Sequence, residues 1–466
     1  MFVENLILQK GKVYAKISVT ETENRQMGFY INSFYCVQIA ASGGGTEKYM
    51  QFISSINTFL WMFFIVCYVY QMYYIAVPFI KKDRPHAKTE NHKFAVLISA
   101  RNESAVIRNL LESINAQTYP SELVDVFVVA DNCTDNTADI ARDCGAIVYE
   151  RFNKVNVGKG YALNYVLKQI KRNHNADQYD GYFVFDADNV LDPNYIEEMN
   201  KTFSDGYEIL TSYRNSKNYG DSWISAGYAL WFLRESKYLN YSRMLLNTSC
   251  AISGTGFMFS KKIAERLDGW KYYLLTEDIE FTVDHVINGY TIGFCKNAVL
   301  YDEQPINFKQ SVRQRMRWAK GYFQVFCNYG AGLVKGTLKG DSFSCYDMSM
   351  SILPAVVYTV CTLTVNASAI LAGLLVGISI SPVIYALIGS IIGIYTTMYI
   401  IGVITTVTEW KNIYSTTYKK ILYTFTFPIF MMTYIPITVV ALFKKVEWKP
   451  IIHSEAKSLA DIKGLN

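Results

Sequence analysis

Apolar positions along the 466-residue chain fall into two rhythms, and each predicts a different kind of element. The first is unbroken. Residues 52–79 read FISSINTFLWMFFIVCYVYQMYYIAVPF without a charge, longer than the ~20 residues a helix needs to cross a bilayer. The pattern returns after Asp347, over residues 352–378, 383–407 and 421–443. Pro428 and Pro436 interrupt the last of these, which predicts a broken or re-entrant element.

The second rhythm lies between these spans, where short apolar runs alternate with stretches of helical spacing. FAVLISA (94–100), VDVFVVAD (124–131), AIVYE (146–150) and YFVFDAD (182–188) predict strands. SAVIRNLLESINAQ (104–117), NTADIARDCG (136–145) and GKGYALNYVLKQIKRN (158–173) predict helices, and so does KQSVRQRMRWAKGYFQVF (309–326). Strand and helix in alternation predict an α/β domain with a doubly wound, mostly parallel sheet, inserted between transmembrane helices. Its ligands would bind beyond the carboxyl ends of the strands.

The expected organisation is a polar extension over 1–49, a span over 50–80, a soluble domain over 92–335, a membrane region over 347–443 with two spans and one Pro-broken span, and a tail over 444–466. The extension matches neither a signal nor a transit peptide, and reads as disordered or as preceding a true start at Met50. KKDRPHAK directly follows the first span, which predicts a cytoplasmic soluble domain in a multi-pass protein of the cell membrane. Nine Cys without paired spacing suit a reducing compartment. A net charge of +5 suits anionic lipid and acidic small molecules as partners and gives no stripe for nucleic acid.

Candidate chemistry gathers at the ends of the predicted strands. Asp186 and Asp188 close the fourth, where residues two apart share a side, so the pair would attract a cation. The competing reading makes DNVLDP a helix cap centred on Asp192. Asp131 ends the second strand, with a turn or cap as its alternative role. Lys159 stands between two glycines at a helix start, a place that favours phosphate. Thr276, Glu277 and Asp278 read either as a capping box or as chemistry. On the last helix, Gln314, Arg317 and Trp318 share a face, offering guanidinium to a diphosphate and indole to a sugar. The same face would also suit a membrane interface.

The ordered set SARNES, VVADNCTDNTA, GKGYALN, FDADN, SGTGF, TEDIE and QRMRW resembles the membrane-integrated family-2 glycosyltransferases, the group of cellulose, chitin, hyaluronan and poly-N-acetylglucosamine synthases, over residues 94–330. The resemblance implies a GT-A-type fold. It implies that Asp131 holds uracil, that Lys159 and Asp186 contact the nucleotide, and that Asp188 ligates Mg²⁺ or Mn²⁺. It further implies Asp278 as general base with Glu277 beside it at the acceptor, Gln314, Arg317 and Trp318 along the diphosphate and acceptor site, and Gly254 to Gly256 in the acceptor floor. Asn132 departs from the usual paired acids at the second strand's end, and Ser260 stands where many relatives carry a basic residue.

The function so implied is inverting, metal-dependent transfer of a hexose from a UDP-sugar to a growing β-linked polysaccharide, threaded through the chain's own spans, with accessory export subunits as possible partners. One alternative is a single transfer to a membrane lipid carrier. The other is a non-enzymatic transporter or receptor, disfavoured because the spans hold almost no ionisable residues and Asp278 would have no purpose.

Overall fold

The structure is a computed structural model that describes residues 3–9, 12–17, 45–339, 343–352, 354–377, 380–446, 453 and 456–464. The chain forms two compact units, residues 1–68 with 354–395 and residues 69–353 with 396–466. Most of the expected extension lies outside the described residues.

In the first unit, β1 (Val3–Gln9) and β2 (Lys12–Ile17) pair as an antiparallel hairpin, so this part of the extension is a paired element where disorder was expected. Helix α1 (Gly45–Tyr68) carries Tyr49, Ile53 and Asn57. The Asn57 and Asn366 amides exchange hydrogen bonds at 3.1 Å in each direction. Such pairing satisfies polar groups that lipid would leave unpartnered.

The second unit begins with α2 (Tyr70–Ile80) and holds an eight-stranded sheet. Its strands are β3 (Phe94–Ala100), β4 (Val124–Asp131), β5 (Ile147–Arg151), β6 (Gly181–Asp186), β7 (Val190–Leu191), β8 (Ile209–Ser216), β9 (Phe257–Ser260) and β10 (Ile292–Asp302), in the order β5-β4-β3-β6-β9-β8-β10-β7. Strands β7 and β9 run against the other six, so the sheet is mostly parallel, as expected, with two antiparallel strands that the periodicity did not predict. The remaining strands end on one edge, as expected for ligand binding.

Helices cover both faces because each strand alternates. They are α3 (Ile107–Asn115), α4 (Thr137–Asp143), α5 (Lys159–Asn173), α6 (Tyr195–Ser204), α7 (Trp223–Arg234), α8 (Tyr241–Leu246), α9 (Lys261–Leu267), α10 (Glu277–Ile287) and α11 (Phe308–Leu338). Ala95 and Leu97 of β3 pack with Leu163 and Val166 of α5 and with Phe281 of α10. Phe94, Val96 and Ile98 face the other way, onto α3 and α6. The period-two pattern of one buried strand thus serves two cores.

After α12 (Phe343–Ile352) come α13 (Pro354–Val376), α14 (Ser381–Thr408), α15 (Thr417–Met432), α16 (Tyr434–Phe443) and α17 (Leu459–Lys463). Gln51–Ile80, Val383–Thr408 and Thr417–Phe443 are long and apolar enough to cross a membrane, and Val360–Leu375 is a shorter apolar stretch. The last span is broken at Thr433, as its prolines predict. Arg315 of α11 reaches that break, donating to the Phe430 carbonyl at 3.1 Å and to Thr433 Oγ1 at 2.6 Å. The freed backbone is therefore satisfied by protein.

A fully buried ion pair ties α8 to α12. Arg243 donates from Nε and Nη2 to the two oxygens of Asp347 at 2.8 and 2.9 Å, and Tyr70 and Tyr74 of α2 donate to the same carboxylate. We expect Asp347→Ala to destabilise this unit by about 3–5 kcal/mol, because it strands a buried guanidinium. Arg243→Met with Asp347→Leu should cost less than that single change. Thermal unfolding in detergent checks both, and a harmless single variant would refute the assignment.

Candidate active site at the carboxyl edge of the sheet

Asp131, Asp186, Asp302 and Glu103 at this edge each meet a basic group from another segment. Asp131 ends β4 and is bound by Arg151, the last residue of β5, with both side chains buried. The turn role belongs instead to Asp135, whose Oδ1 accepts from the Thr137 amide at 3.2 Å. Asn132 adopts φ 55°, a left-handed conformation that asparagine tolerates. Its side chain accepts from the Asn153 amide at 2.8 Å and donates to the Asn153 carbonyl at 3.1 Å. The departure from paired acids thus braces the β4 and β5 ends.

Lys159 is not a solvated loop lysine. Its Nζ donates to Asp186 Oδ1 at 2.5 Å and to the Gly254 carbonyl at 2.6 Å. Both flanking glycines are needed. Gly158 takes φ 135°, and a Cβ on Gly160 would stand 2.2 Å from the Tyr272 carbonyl.

Asp186 ends β6, so Asp188 lies past the strand, and the expectation that both acids share one side of a strand is corrected. The chain turns because Asn189 Oδ1 and Thr255 Oγ1 both accept from the Asp186 amide, at 3.2 and 2.9 Å. Asp188 is sent inward, where Oδ2 accepts from the Glu303 amide at 3.1 Å. Burial would raise its pKa, but the nearby His453, then Lys217, that amide and Arg214 hold it below the usual carboxylate value. Asp192 makes no side-chain cap on α6, whose cap position is Asn194.

Glu277 and Asp278 open α10, yet no capping box forms: Thr276 makes no side-chain cap bond and its hydroxyl is buried without a partner. Burial, and then the neighbouring Asp278, push Glu277 up to about 7. Burial also raises Asp278, against the pull of Arg317 and Lys159. Gly254 takes φ 79°, which favours glycine, and a Cβ there would stand in ordinary contact with Asp278 Oδ2 at 3.7 Å, which places this turn beside the carboxylate. Gly256 does not join that floor. Its missing side chain faces Leu300 and Ser212 inside the sheet, a correction that follows from its packing.

On α11 the expected common face divides. Arg317 donates to the Leu275 carbonyl at 2.6 Å, which latches the helix to the loop before Glu277. Gln314 Oε1 is buried without a partner. Trp318 turns to an aromatic nest, edge-to-face with Tyr228 and Phe232 at centroid distances of 5.6 and 6.1 Å.

Several site residues were missed from the sequence. Arg214 of β8 binds Asp302 through Nε at 2.8 Å and through Nη2, donates to the Ser253 carbonyl at 2.6 Å, and lies 3.7 Å over the Phe232 ring. Burial lifts Asp302 to about 6, partly countered by Arg214. Asp302 ends an apolar run, so the rule that found Asp131 and Asp186 also reaches it. Glu103, just past β3, and His453, in the C-terminal tail, carried no such signal.

The description "Glycosyltransferase like family 2" matches residues 92–321. The chain is 28% identical over 278 residues to "Probable glycosyltransferase YdaM" of Bacillus subtilis (strain 168), covering 55% of this chain and 61% of that protein. It is 24% identical over 240 residues to "Beta-monoglucosyldiacylglycerol synthase" of Synechocystis, covering 50% and 48%. With "Poly-beta-1,6-N-acetyl-D-glucosamine synthase" of Staphylococcus epidermidis (strain ATCC 35984) it shares 25% identity over 278 residues, covering 57% and 64%. The chain thus spans about half to two thirds of the length of these relatives. Among solved structures, the mannosyltransferase PcManGT from Pyrobaculum calidifontis, in complex with GDP-Man and Mn²⁺, has the same fold at TM-score 0.54 and 16% identity, covering 84% of this chain and 99% of that one.

Gly160→Ala should force the Tyr272 carbonyl and the start of α5 apart, costing about 1–3 kcal/mol of stability. Because Lys159 is adjacent, the variant should also loosen the Lys159–Asp186 contact. Thermal unfolding beside the wild type tests the first effect, and an unchanged midpoint would contradict it.

Proposed function

Residues 92–321 are a glycosyltransferase family 2 domain, and on that premise we propose that the chain transfers a hexose from a UDP-sugar, with inversion, onto a growing β-linked polysaccharide. The observation that carries this reading is the convergence at Gly254, whose carbonyl accepts from the Lys159 that also binds Asp186 and whose Cα faces Asp278, a Cβ there standing 3.7 Å from Asp278 Oδ2.

In this reading Asp131, held by Arg151, orients uracil, and Lys159 with Asp186 binds the nucleotide. Gln314 Oε1, buried without a partner, supplies an acceptor atom for a donor group on the ligand. Arg317 stands at the loop before Asp278, placed to offset negative charge as the diphosphate leaves. Asp278 takes the acceptor hydroxyl's proton, and its raised pKa makes it a better base than a surface carboxylate. Glu277 borders the acceptor.

Among the described residues no cluster of three or more His, Cys, Asp or Glu stands ready for a metal. A buried Asp188 nonetheless fits a hard cation whose other ligands are phosphate and water. Bound there, Mg²⁺ or Mn²⁺ would neutralise the departing diphosphate.

Trp318, pinned edgewise by Tyr228 and Phe232, supports a polymer product as a rigid aromatic wall for sugar rings. The three apolar spans and the basic KKDRPHAK support a multi-pass protein of the cell membrane with its catalytic domain cytoplasmic, passing the chain outward with or without accessory subunits. A second reading, one sugar placed on a membrane lipid, is favoured by an apolar groove along α11 lined by Phe326, Val334 and Leu338. The similarity to the beta-monoglucosyldiacylglycerol synthase of Synechocystis accords with it.

Two measurements test these readings. Purified protein given a panel of UDP-sugars with Mg²⁺ or Mn²⁺ should yield polymer, and a product confined to a one-sugar lipid would replace the first reading with the second. Asp278→Asn should lower turnover by about 10²–10⁴-fold while UDP binding persists.

The pH profile supplies a further check. The base acts as a carboxylate, so kcat/KM should rise with pH through a limb above the ordinary carboxylate range. The two acids titrate as a coupled pair, and Glu277→Gln removes a like charge. It should move the limb to lower pH, whereas an unmoved limb would show that the pair does not set it.

A further inference from the structure

The C-terminal tail reaches the edge of the sheet. His453 presents Nδ1 to both oxygens of Glu103, at 3.1 and 3.0 Å, while Nε2 lies 3.8 Å from Asp188 Oδ2. All three side chains are largely buried. A ring nitrogen tied to a carboxylate, with the other nitrogen facing an acid, is how proteins orient imidazole toward a cation. The spacing also fits, since two donors each about 2.1 Å from one ion stand no more than about 4.2 Å apart.

The residues after His453 are anchored independently of any ion. Ile462 of α17 is fully buried against Val190 and Tyr301. Lys463 pairs with Asp192 at 2.6 Å, and Lys457 pairs with Asp221 at 3.1 Å. Val190 and Asp192 follow Asp188 closely in the chain, so the anchor grips the same loop that carries the acid. Ser458 and Asp461 close a capping box that starts α17.

We propose that His453 is a second protein ligand of the divalent cation held at Asp188, oriented by Glu103, so that the C-terminal tail is part of the active site. The inference rests on the reading of Asp188 as a metal ligand. A nitrogen donor also assigns the cation class. Imidazole suits later first-row metals while Mg²⁺ prefers oxygen throughout, so the site should select Mn²⁺ over Mg²⁺.

The test uses the purified full-length chain with UDP and Mn²⁺, read by electron paramagnetic resonance. Spin-echo spectra should show a nitrogen coupled to Mn²⁺ that changes on ¹⁵N-histidine labelling. His453→Gln should abolish this signature and weaken Mn²⁺ binding roughly tenfold or more, with a smaller loss for Mg²⁺. Asp188→Asn separates the two claims. If Mn²⁺ binding survives that change, the metal reading of Asp188 falls. If binding needs Asp188 but the wild-type spectrum shows no histidine nitrogen, the role of His453 falls while the metal reading stands. The wild-type spectrum decides even if His453→Gln does not fold.

Discussion

Acids gathered at one edge of a sheet must be matched by cations, and the arrangement of the catalytic unit follows from that need. Two like charges about 4 Å apart at a protein surface repel by roughly 4 kcal/mol, so an unmatched cluster would protonate or splay. Asp131 has Arg151, Asp186 has Lys159, Asp302 has Arg214, and Glu103 has His453. Every partner lies elsewhere in the chain. Forming the edge therefore requires β5, α5, β8 and the C-terminal tail to be in place together. Among the described residues Glu277 and Asp278 have no basic group at salt-bridge distance, and burial raises both carboxyls, as it also raises Asp302 and Glu103 despite their partners.

The same helix serves the cleft and the membrane-type segments. Within α11, Arg317 latches the loop before Asp278, and two residues earlier Arg315 fills the break between α15 and α16. Gly227 of α7 lets the Phe430 ring approach so closely that a Cβ there would sit 2.3 Å from it. Helix α2 is joined through Tyr70 and Tyr74 to the Arg243–Asp347 pair. These contacts place the last apolar span and the sheet in one packed unit.

Local patterns made much of the site legible. Asp131 and Asp186 were found because an acid ending an apolar run marks a strand's carboxyl end, and Asp302 obeys the same rule at the end of β10. Lys159 stood out between glycines, and the structure supplies separate causes for each: a positive φ at Gly158 and a close carbonyl at Gly160. The helical spacing placed Gln314, Arg317 and Trp318 on one helix, α11. It did not tell that Arg317 would turn to a loop and Trp318 to aromatic rings, because neighbours from α7 and the Leu275 loop decide where each side chain points.

By itself the sequence determined the alternation of strands and helices, the apolar spans with their proline break, and the acids at strand ends, since periodicity, chain length and missing backbone donors act over a few residues. Only the tertiary structure decided that β9 and β7 run backwards in the sheet, that Asp188 turns inward while Asp186 does not, and that Gly256 packs within the sheet. It alone brought His453 to Glu103 across most of the chain. The reason is physical: pairing of distant strands and neutralisation of buried charge are long-range, and no local pattern records which segment will supply the partner.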